Sequence, residues 1–407
     1  MQKRMQADLA TLFLVALIAV AAPLVTELPV KLRLPIVVVE IALGITVGPH
    51  VLGWAQPAGV LAFLGTLGLA FLFFLAGLEL DLEALRGRPL RLGIAAWTIT
   101  IVLALAVTFL LRAGGFVNAP IMIATALATT AVGVLLPILR DSGELNTRFG
   151  NLVMGAGAVG ELGPVVVVSL ILTREHTAWH QTALLLAFAA IALTAAVAAL
   201  HVRLQPIVRL LGRTLHASSQ LPVRICILLM VGLVVLAGEF GLDLVLGAFA
   251  AGMVVRLASE GEKGEVLRAK LEAIGYGFLV PLFFVLSGVK FDLAALLESP
   301  DALLRVPFFV ALFLLIRGSP CLLIYRNALE NGERLPFLLY VSTALPLVVA
   351  ITDIGVATGR MRSDNAAALV GAGMVSVLLF PLLALTLRRR TGAARPGQGR
   401  GDEEDAL

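Results

Sequence analysis

The chain has 407 residues, 59% of them hydrophobic and only 14% charged, whereas soluble domains run nearer half apolar and a quarter charged. Apolar runs of about 20 residues recur along almost the whole length, each long enough to cross a bilayer, and they leave no room for a soluble domain of useful size. The net charge of +4 is no sign of a nucleic-acid partner in such a chain, because the side on which each loop charge falls matters more than the sum.

Thirteen spans are predicted, near 7–27, 33–49, 57–78, 91–113, 117–138, 147–173, 178–202, 221–239, 241–258, 273–290, 302–325, 335–358 and 364–387. The first follows Lys3 and Arg4, but no small-residue cleavage site comes after it and the next apolar run starts almost at once. It therefore reads as a span rather than a signal peptide. With the N-terminus outside, 22 Lys or Arg fall on the cytoplasmic side, eight fall outside, and Arg317 stays within a span. The positive-inside rule thus gives an outside N-terminus and a cytoplasmic C-terminus in a cell (inner) membrane, with Lys3 and Arg4 as the dissent.

Glu40 in the second span and Glu239 in the eighth can each line a cavity or pair at a helix end. Glu79, Asp81, Lys290 and Asp292 sit at span ends and read as interfacial. The fifth span, TALATTAVGVLLPIL from Thr125, carries Thr125, Thr129, Thr130, Gly133 and Pro137. Its threonines can back-bond to the previous turn or supply oxygens to a cation.

The sixth span holds GAGAVGE, Gly155 to Glu161. Its first six residues match a dinucleotide fingerprint, and Glu175 follows about 20 residues later, where a ribose-binding acid belongs. That motif needs a strand before it and a βαβ unit in water; here it lies inside one apolar run and is trailed by Pro164 and VVVV. Gly155, Gly157 and Gly160 instead let neighbouring groups approach the helix closely. Beside them stands Glu161, and a carboxylate near the middle of an apolar span marks an ion or proton path by default.

Two cytoplasmic connections, 203–220 and 259–272, read either as amphipathic interfacial helices or as solvated linkers. Arg317 in the eleventh span is too far from either end to snorkel. It requires an anion inside the bundle, with Glu161 and Asp353 as candidates. An arginine keeps its proton, so its role is that of a fixed charge, structural or directly engaged in transport. The twelfth span, TALPLVVAITDIGVATG from Thr343, carries Pro346, Asp353, Gly355 and Gly359. From Arg388 the chain becomes charged and Gly-rich and reads as a disordered tail with its arginines at the membrane surface.

The fifth and twelfth spans belong to a repeat. TAL at Thr125 precedes GAG at Gly155 by 30 residues, and TAL at Thr343 precedes GAG at Gly371 by 28, each pair separated by a polar or charged turn. The copies are seven spans apart, and an odd offset places them upside down relative to one another, as in secondary transporters. Helix breakers in both copies suggest two discontinuous helices crossing at the midplane, with Asp353 as an electrostatic plug. Glu161 has no counterpart in the second copy, where the register reaches Val377. Cys226 and Cys321 fall inside spans as packing residues, the five histidines form no metal-ligand pattern, and no Ser/His/Asp or HExxH arrangement appears. An enzyme, a cofactor and a resident metal are therefore not expected.

FFLAGLELDL (73–82), LGAFAAGMVV (246–255), PLFFVLSGVKFDL (281–293) and TALATTAVGVLLPILRDSGELNTRFGNLVMGAGAVGE (125–161) occur in the order found in the monovalent cation:proton antiporter family, second branch. That branch contains the bacterial sodium/proton and potassium-efflux antiporters, and the chain resembles its membrane domain over roughly residues 5 to 390. The resemblance implies a thirteen-helix fold, usually homodimeric, whose core moves like an elevator. It assigns 1–90 and 221–298 to scaffold and dimerisation helices 1–3 and 8–10, and 91–175 and 299–388 to core helices 4–6 and 11–13. Residues 176–220 become linker helix 7, and 389–407 a disordered cytoplasmic tail. The family's ion-binding carboxylate maps to Glu161, its basic residue of span 11 to Arg317, and an acid of the broken span 12 to Asp353.

The chain departs from the family pattern in three ways. Relatives usually carry Asp at the binding position, preceded by Asp, Asn or Gln, where this chain has Gly160 and Glu161; Arg317 stands for the commoner Lys; and the nucleotide-binding domain of many potassium-efflux members is not in this chain. The expected activity is exchange of sodium or potassium for protons at Glu161, Thr129 and Thr130, and one acid per core argues for electroneutral exchange. The rival readings are a sodium-coupled symporter of similar inverted-repeat design and a non-transporting membrane sensor built on an antiporter body.

Overall fold

The computed structural model describes residues 2–27, 35–57, 59–79, 87–145, 147–172, 219–242, 244–259, 262–297 and 300–390, with 187–188, 190–191 and 194. Most of the predicted span 178–202 and of the connection 203–220, and the tail beyond Arg390, lie outside these residues. Among the described residues every regular element is helical. Eight helices among the described residues are long and apolar enough to cross a membrane, and four shorter apolar ones among them lie at Leu12–Thr26, Ile36–Val47, Pro120–Leu136 and Leu244–Ala258. The chain divides into two compact units, Met1–Asp81 with Val165–Phe291, and Leu82–Pro164 with Asp292–Leu407.

The first unit contains α1 (Gln2–Glu27), α2 (Ile36–Val47), α3 (Gly59–Glu79) and, after the undescribed stretch, α8 (Leu221–Glu239), α9 (Leu244–Ala258), α10 (Glu262–Ile274) and α11 (Val280–Lys290). Lipid tails are as apolar as leucine, so these helices associate by close packing rather than by escape from water. Gly77 of α3 faces the Phe249 carbonyl of α9 and Gly252 of α9 faces that of Phe74, each so closely that a Cβ would overlap it. Gly44 of α2 and Gly288 of α11 meet in the same reciprocal way, through the carbonyls of Val285 and Ile41. Gly252→Leu is expected to wedge α3 from α9 and lower stability by roughly 1–3 kcal/mol, as overpacking does; thermal melting in detergent measures it, and an unchanged melting temperature would count against this contact.

The connection expected to lie as a separate element at 259–272 is not separate. α10 runs into α11 through a π-helical turn, Gly275–Leu279, giving one rod from Glu262 to Lys290. Gly275 does not end the helix because it packs against Phe71 and Leu75 of α3, where a side chain would collide.

The second unit contains α4 (Arg88–Ala113), α5 (Pro120–Leu127), α6 (Val132–Asp141) and α7 (Arg148–Leu172) as far as Pro164. It continues with α12 (Leu293–Leu297), α13 (Pro300–Leu312), α14 (Ser319–Tyr325), α15 (Asn331–Val341), α16 (Pro346–Ala357) and α17 (Ser363–Arg390). α4 turns apolar residues such as Leu110 outward, as a lipid-facing helix must, while α15 and α16 are buried along most of their length. α13 joins α14 through a second π-helical turn, Phe313–Gly318, which carries Arg317.

Candidate ion site

Two spans are interrupted, and the interruptions meet. α5 ends at Leu127 and α6 begins at Val132; α15 ends at Val341 and α16 begins at Pro346. Pro346 offers no N–H to the Ser342 carbonyl, so the helix cannot run through. Backbone groups freed in this way must find partners inside the protein. Ala131 N–H donates to Thr343 O at 2.8 Å and Thr130 N–H to Gly160 O at 3.0 Å. Trp97 Nε1 donates to Ala128 O at 3.1 Å, and Ala344 N–H to Ser376 Oγ at 3.0 Å.

Arg317 enters this junction fully buried. Its Nε donates to Thr130 Oγ1 at 2.9 Å, its Nη2 to Ala156 O at 2.7 Å, and its Nη1 to Cys321 Sγ at 3.5 Å. Thr130 Oγ1 in turn donates to Val341 O at 2.6 Å. The π-helical turn places an extra residue in the helix, a distortion frequent at functional positions. Contrary to the sequence expectation of a carboxylate partner, all three of these acceptors are neutral. Carbonyls and a hydroxyl are strong acceptors in a low-dielectric interior, and together they disperse the guanidinium charge.

Gly155, Gly157 and Gly160, three of the five glycines of α7, each permit a different approach. A Cβ at Gly155 would stand 2.9 Å from Pro89 Cβ, and one at Gly157 would stand 2.8 Å from Val132 Cγ2. At Gly160 the neighbours are functional groups, Arg317 Nη2 at 2.5 Å and Thr130 Oγ1 at 2.6 Å. The guanidinium therefore occupies the volume that a side chain at 160 would need. Gly160→Asn is expected to expel it at a cost of about 1–3 kcal/mol, and Gly160→Asn with Arg317→Lys to recover part of the loss; melting temperatures of the three variants test this.

Glu161 is the next residue along α7, 9% exposed. Thr129 is buried with its hydroxyl donated to Ala126 O at 2.8 Å, the back-bonding geometry. Asp353 is not at an interruption: it lies in α16 seven residues beyond Pro346, about 10 Å along the helix axis, and it is half-buried. The junction thus brings together Thr130, Gly160 and Arg317, flanked by Thr129 and Glu161, and leaves Asp353 about two turns away from the second interruption. Among the described residues no group of three or more His, Cys, Asp or Glu is placed to hold a metal ion.

Sequence reasoning missed a second polar cluster in this unit. Arg388 donates Nε to Glu144 Oε1 at 2.6 Å, approaches Glu333 Oε1 at 3.5 Å, and lies 4.1 Å over the Phe149 ring. Arg148 pairs with Glu333 at 3.0 Å. Arg388 is therefore a buried member of α17 rather than the start of a surface tail, because Glu144 and Phe149 supply both a counter-charge and an aromatic face. The one available signal was the helical run continuing through Leu387, which the triple arginine masked.

The chain matches the transmembrane sodium/hydrogen exchanger family over residues 13–385. It is 24% identical to a putative Na(+)/H(+) antiporter of Bacillus subtilis, over 94% of this chain and 64% of that protein. It is 25% identical to an Na(+)/H(+) antiporter of Enterococcus hirae, over 91% of this chain and 96% of that protein. With a cation/H(+) antiporter of Arabidopsis thaliana the identity is 32%, but the match spans 65% of this chain and 35% of the relative. The chain thus spans less than two thirds of the length of the Bacillus and Arabidopsis proteins. In fold it is similar to the sodium proton antiporter MjNhaP1 of Methanocaldococcus jannaschii, with a TM-score of 0.63 at 15% identity over 95% of this chain and 98% of that one. A family match across nearly the whole membrane-spanning length, on a fold shared with a solved antiporter, establishes that the chain belongs to the sodium/hydrogen exchanger family, whose members are transporters rather than enzymes.

Proposed function

We propose that the protein exchanges a monovalent cation, sodium or potassium, for protons across the membrane at Glu161. The observation that carries this is a buried carboxylate beside a junction of two interrupted helices, in a chain of the exchanger family. Carbonyls freed at such interruptions, together with the Thr129 oxygen, suit a partly dehydrated cation, while Thr130 Oγ1, expected from the sequence as a second ligand, instead accepts from Arg317 Nε. Glu161 binds either a proton or the cation, and the second unit carries it across only when one of them is bound. Arg317 contributes a constant positive charge in either case, so one proton leaves for each cation that enters and the exchange is electroneutral.

The family resemblance supports the rest of the reading: thirteen helices in an inverted repeat, the first unit as the dimerisation scaffold of a homodimer, elevator-type movement of the second, an outside N-terminus and a cytoplasmic C-terminus. The test is proton flux in proteoliposomes after addition of sodium, potassium or lithium. Cation-dependent proton efflux, unaffected by an imposed membrane potential, is the expected result. Ion flux that requires an organic anion and ignores pH would replace this reading with the symporter, and silence toward all three cations from a folded dimer would favour the sensor.

A further inference from the structure

Within the second unit, α4 packs against α14 and the π-helical turn before it but parts from α13. A cavity of about 550 Å³ opens between the last turn of α4 and α13. Leu111 and Phe116 line one side of it, Leu304 and Phe308 the other, and Arg305 is its charged residue. A Cβ at Gly115, also in the wall, would meet nothing within 4 Å. Phe116 and Leu304 are 60% and 66% exposed. In a chain that spans a bilayer, apolar surface of this kind is covered by lipid tails.

Arg305 belongs to a fixed network. Its Nη1 donates at 2.8 Å to Asp364 Oδ2 and at 2.8 Å to Asn365 Oδ1, and Asn365 Nδ2 donates to Asn118 Oδ1 at 3.0 Å. The guanidinium is thereby tied to α17 and to the connection that supplies Phe116. Both of its bonds use Nη1; among the described residues nothing accepts from Nε or Nη2, and neither is sealed from the surface. Those two nitrogens form one edge of the planar fork, and such an edge takes two oxygens of a phosphate at once. Arg362 also donates to Asp364 Oδ2, at 2.8 Å, so two arginines meet one carboxylate and a positive charge is left over. Arg112, exposed in the last turn of α4, adds another. Arg305 stands five residues into α13, about 8 Å from its start, and α4 ends at Ala113. The cavity therefore opens where an arginine stem lies along hydrocarbon and its head reaches the phosphate level.

We propose that this cavity binds an anionic phospholipid, with an acyl chain lying between α4 and α13 and the headgroup phosphate bridging Nε and Nη2 of Arg305. The inference needs a membrane-spanning chain but not antiport. Apolar walls alone would accept any lipid tail. The open guanidinium edge and the excess positive charge select an anionic headgroup, as basic pockets between membrane helices do. The volume falls within the range of about 300–1,000 Å³ common for ligand sites.

The test is thermal melting of the detergent-solubilised chain with added phosphatidylglycerol, phosphatidylcholine or inorganic phosphate. Phosphatidylglycerol is expected to raise the melting temperature by several degrees, phosphatidylcholine by less than half as much, and phosphate not at all. Leu304→Trp fills the cavity without touching the ion pairs, and Arg305→Lys keeps a charge beside Asp364 but has no second edge to offer. Each variant, compared with itself in the absence of lipid, is expected to lose at least half of the rise. An equal rise from phosphatidylcholine would overturn the headgroup contact, and an equal rise from inorganic phosphate would overturn the lipid in favour of a small anion. A rise undiminished in both variants would place the lipid elsewhere and overturn the site.

Discussion

Glu161→Gln is expected to fold normally and to reduce cation-driven proton efflux to the level of empty liposomes. Glutamine keeps the volume and most of the hydrogen-bonding capacity of glutamate, so the packing around a residue 9% exposed survives the change. What it loses is the ability to take up a proton or to balance a cation. A carboxylate in an apolar span is costly enough that it persists where it has work with ions, and here it follows a glycine whose Cα lies under a guanidinium. Circular dichroism and melting of the variant separate loss of function from loss of fold. Retained exchange in a folded Glu161→Gln protein would remove Glu161 from the centre of the mechanism and make Asp353→Asn the next variant to measure.

Arg317→Met is expected to destabilise the detergent-solubilised protein by about 3 kcal/mol, because hydrogen bonds from an ionised donor are each worth about 1.5–3 kcal/mol and relief of the buried charge returns part of that sum. The variant leaves Ala156 O and the Thr130 hydroxyl without the donor that ties α7 to the first interruption. Arg317→Lys retains the charge but cannot span Thr130, Ala156 and Cys321 from one planar fork, so an intermediate loss is expected. An unchanged melting temperature in Arg317→Met would mean that the backbone bonds between the interruptions, Ala131 to Thr343 and Thr130 to Gly160, suffice alone. Loss of exchange in Arg317→Lys at wild-type stability would instead show the arginine engaged directly in transport.

Among the described residues, the sequence alone determined where most of the membrane-length helices lie and which residues are costly to bury. Apolar run length is a local property set by the thickness of hydrocarbon, so the spans, Glu161 and Arg317 were legible without any knowledge of packing. The glycines of GAGAVG were legible as places of close approach, but not as to what approaches, since Gly155, Gly157 and Gly160 admit three unrelated neighbours. Only tertiary structure decided that Arg317 is held by a threonine, a carbonyl and a cysteine rather than by an acid. The same holds for the interruptions at Ala128–Ala131 and Ser342–Leu345, away from Gly355 and Gly359, and for the pairing of Arg388 with Glu144 across 244 residues. The physical reason is common to these cases: a freed carbonyl or a buried charge is satisfied by whatever the fold brings within 3 Å, and residues distant in the chain leave no periodic trace of that meeting.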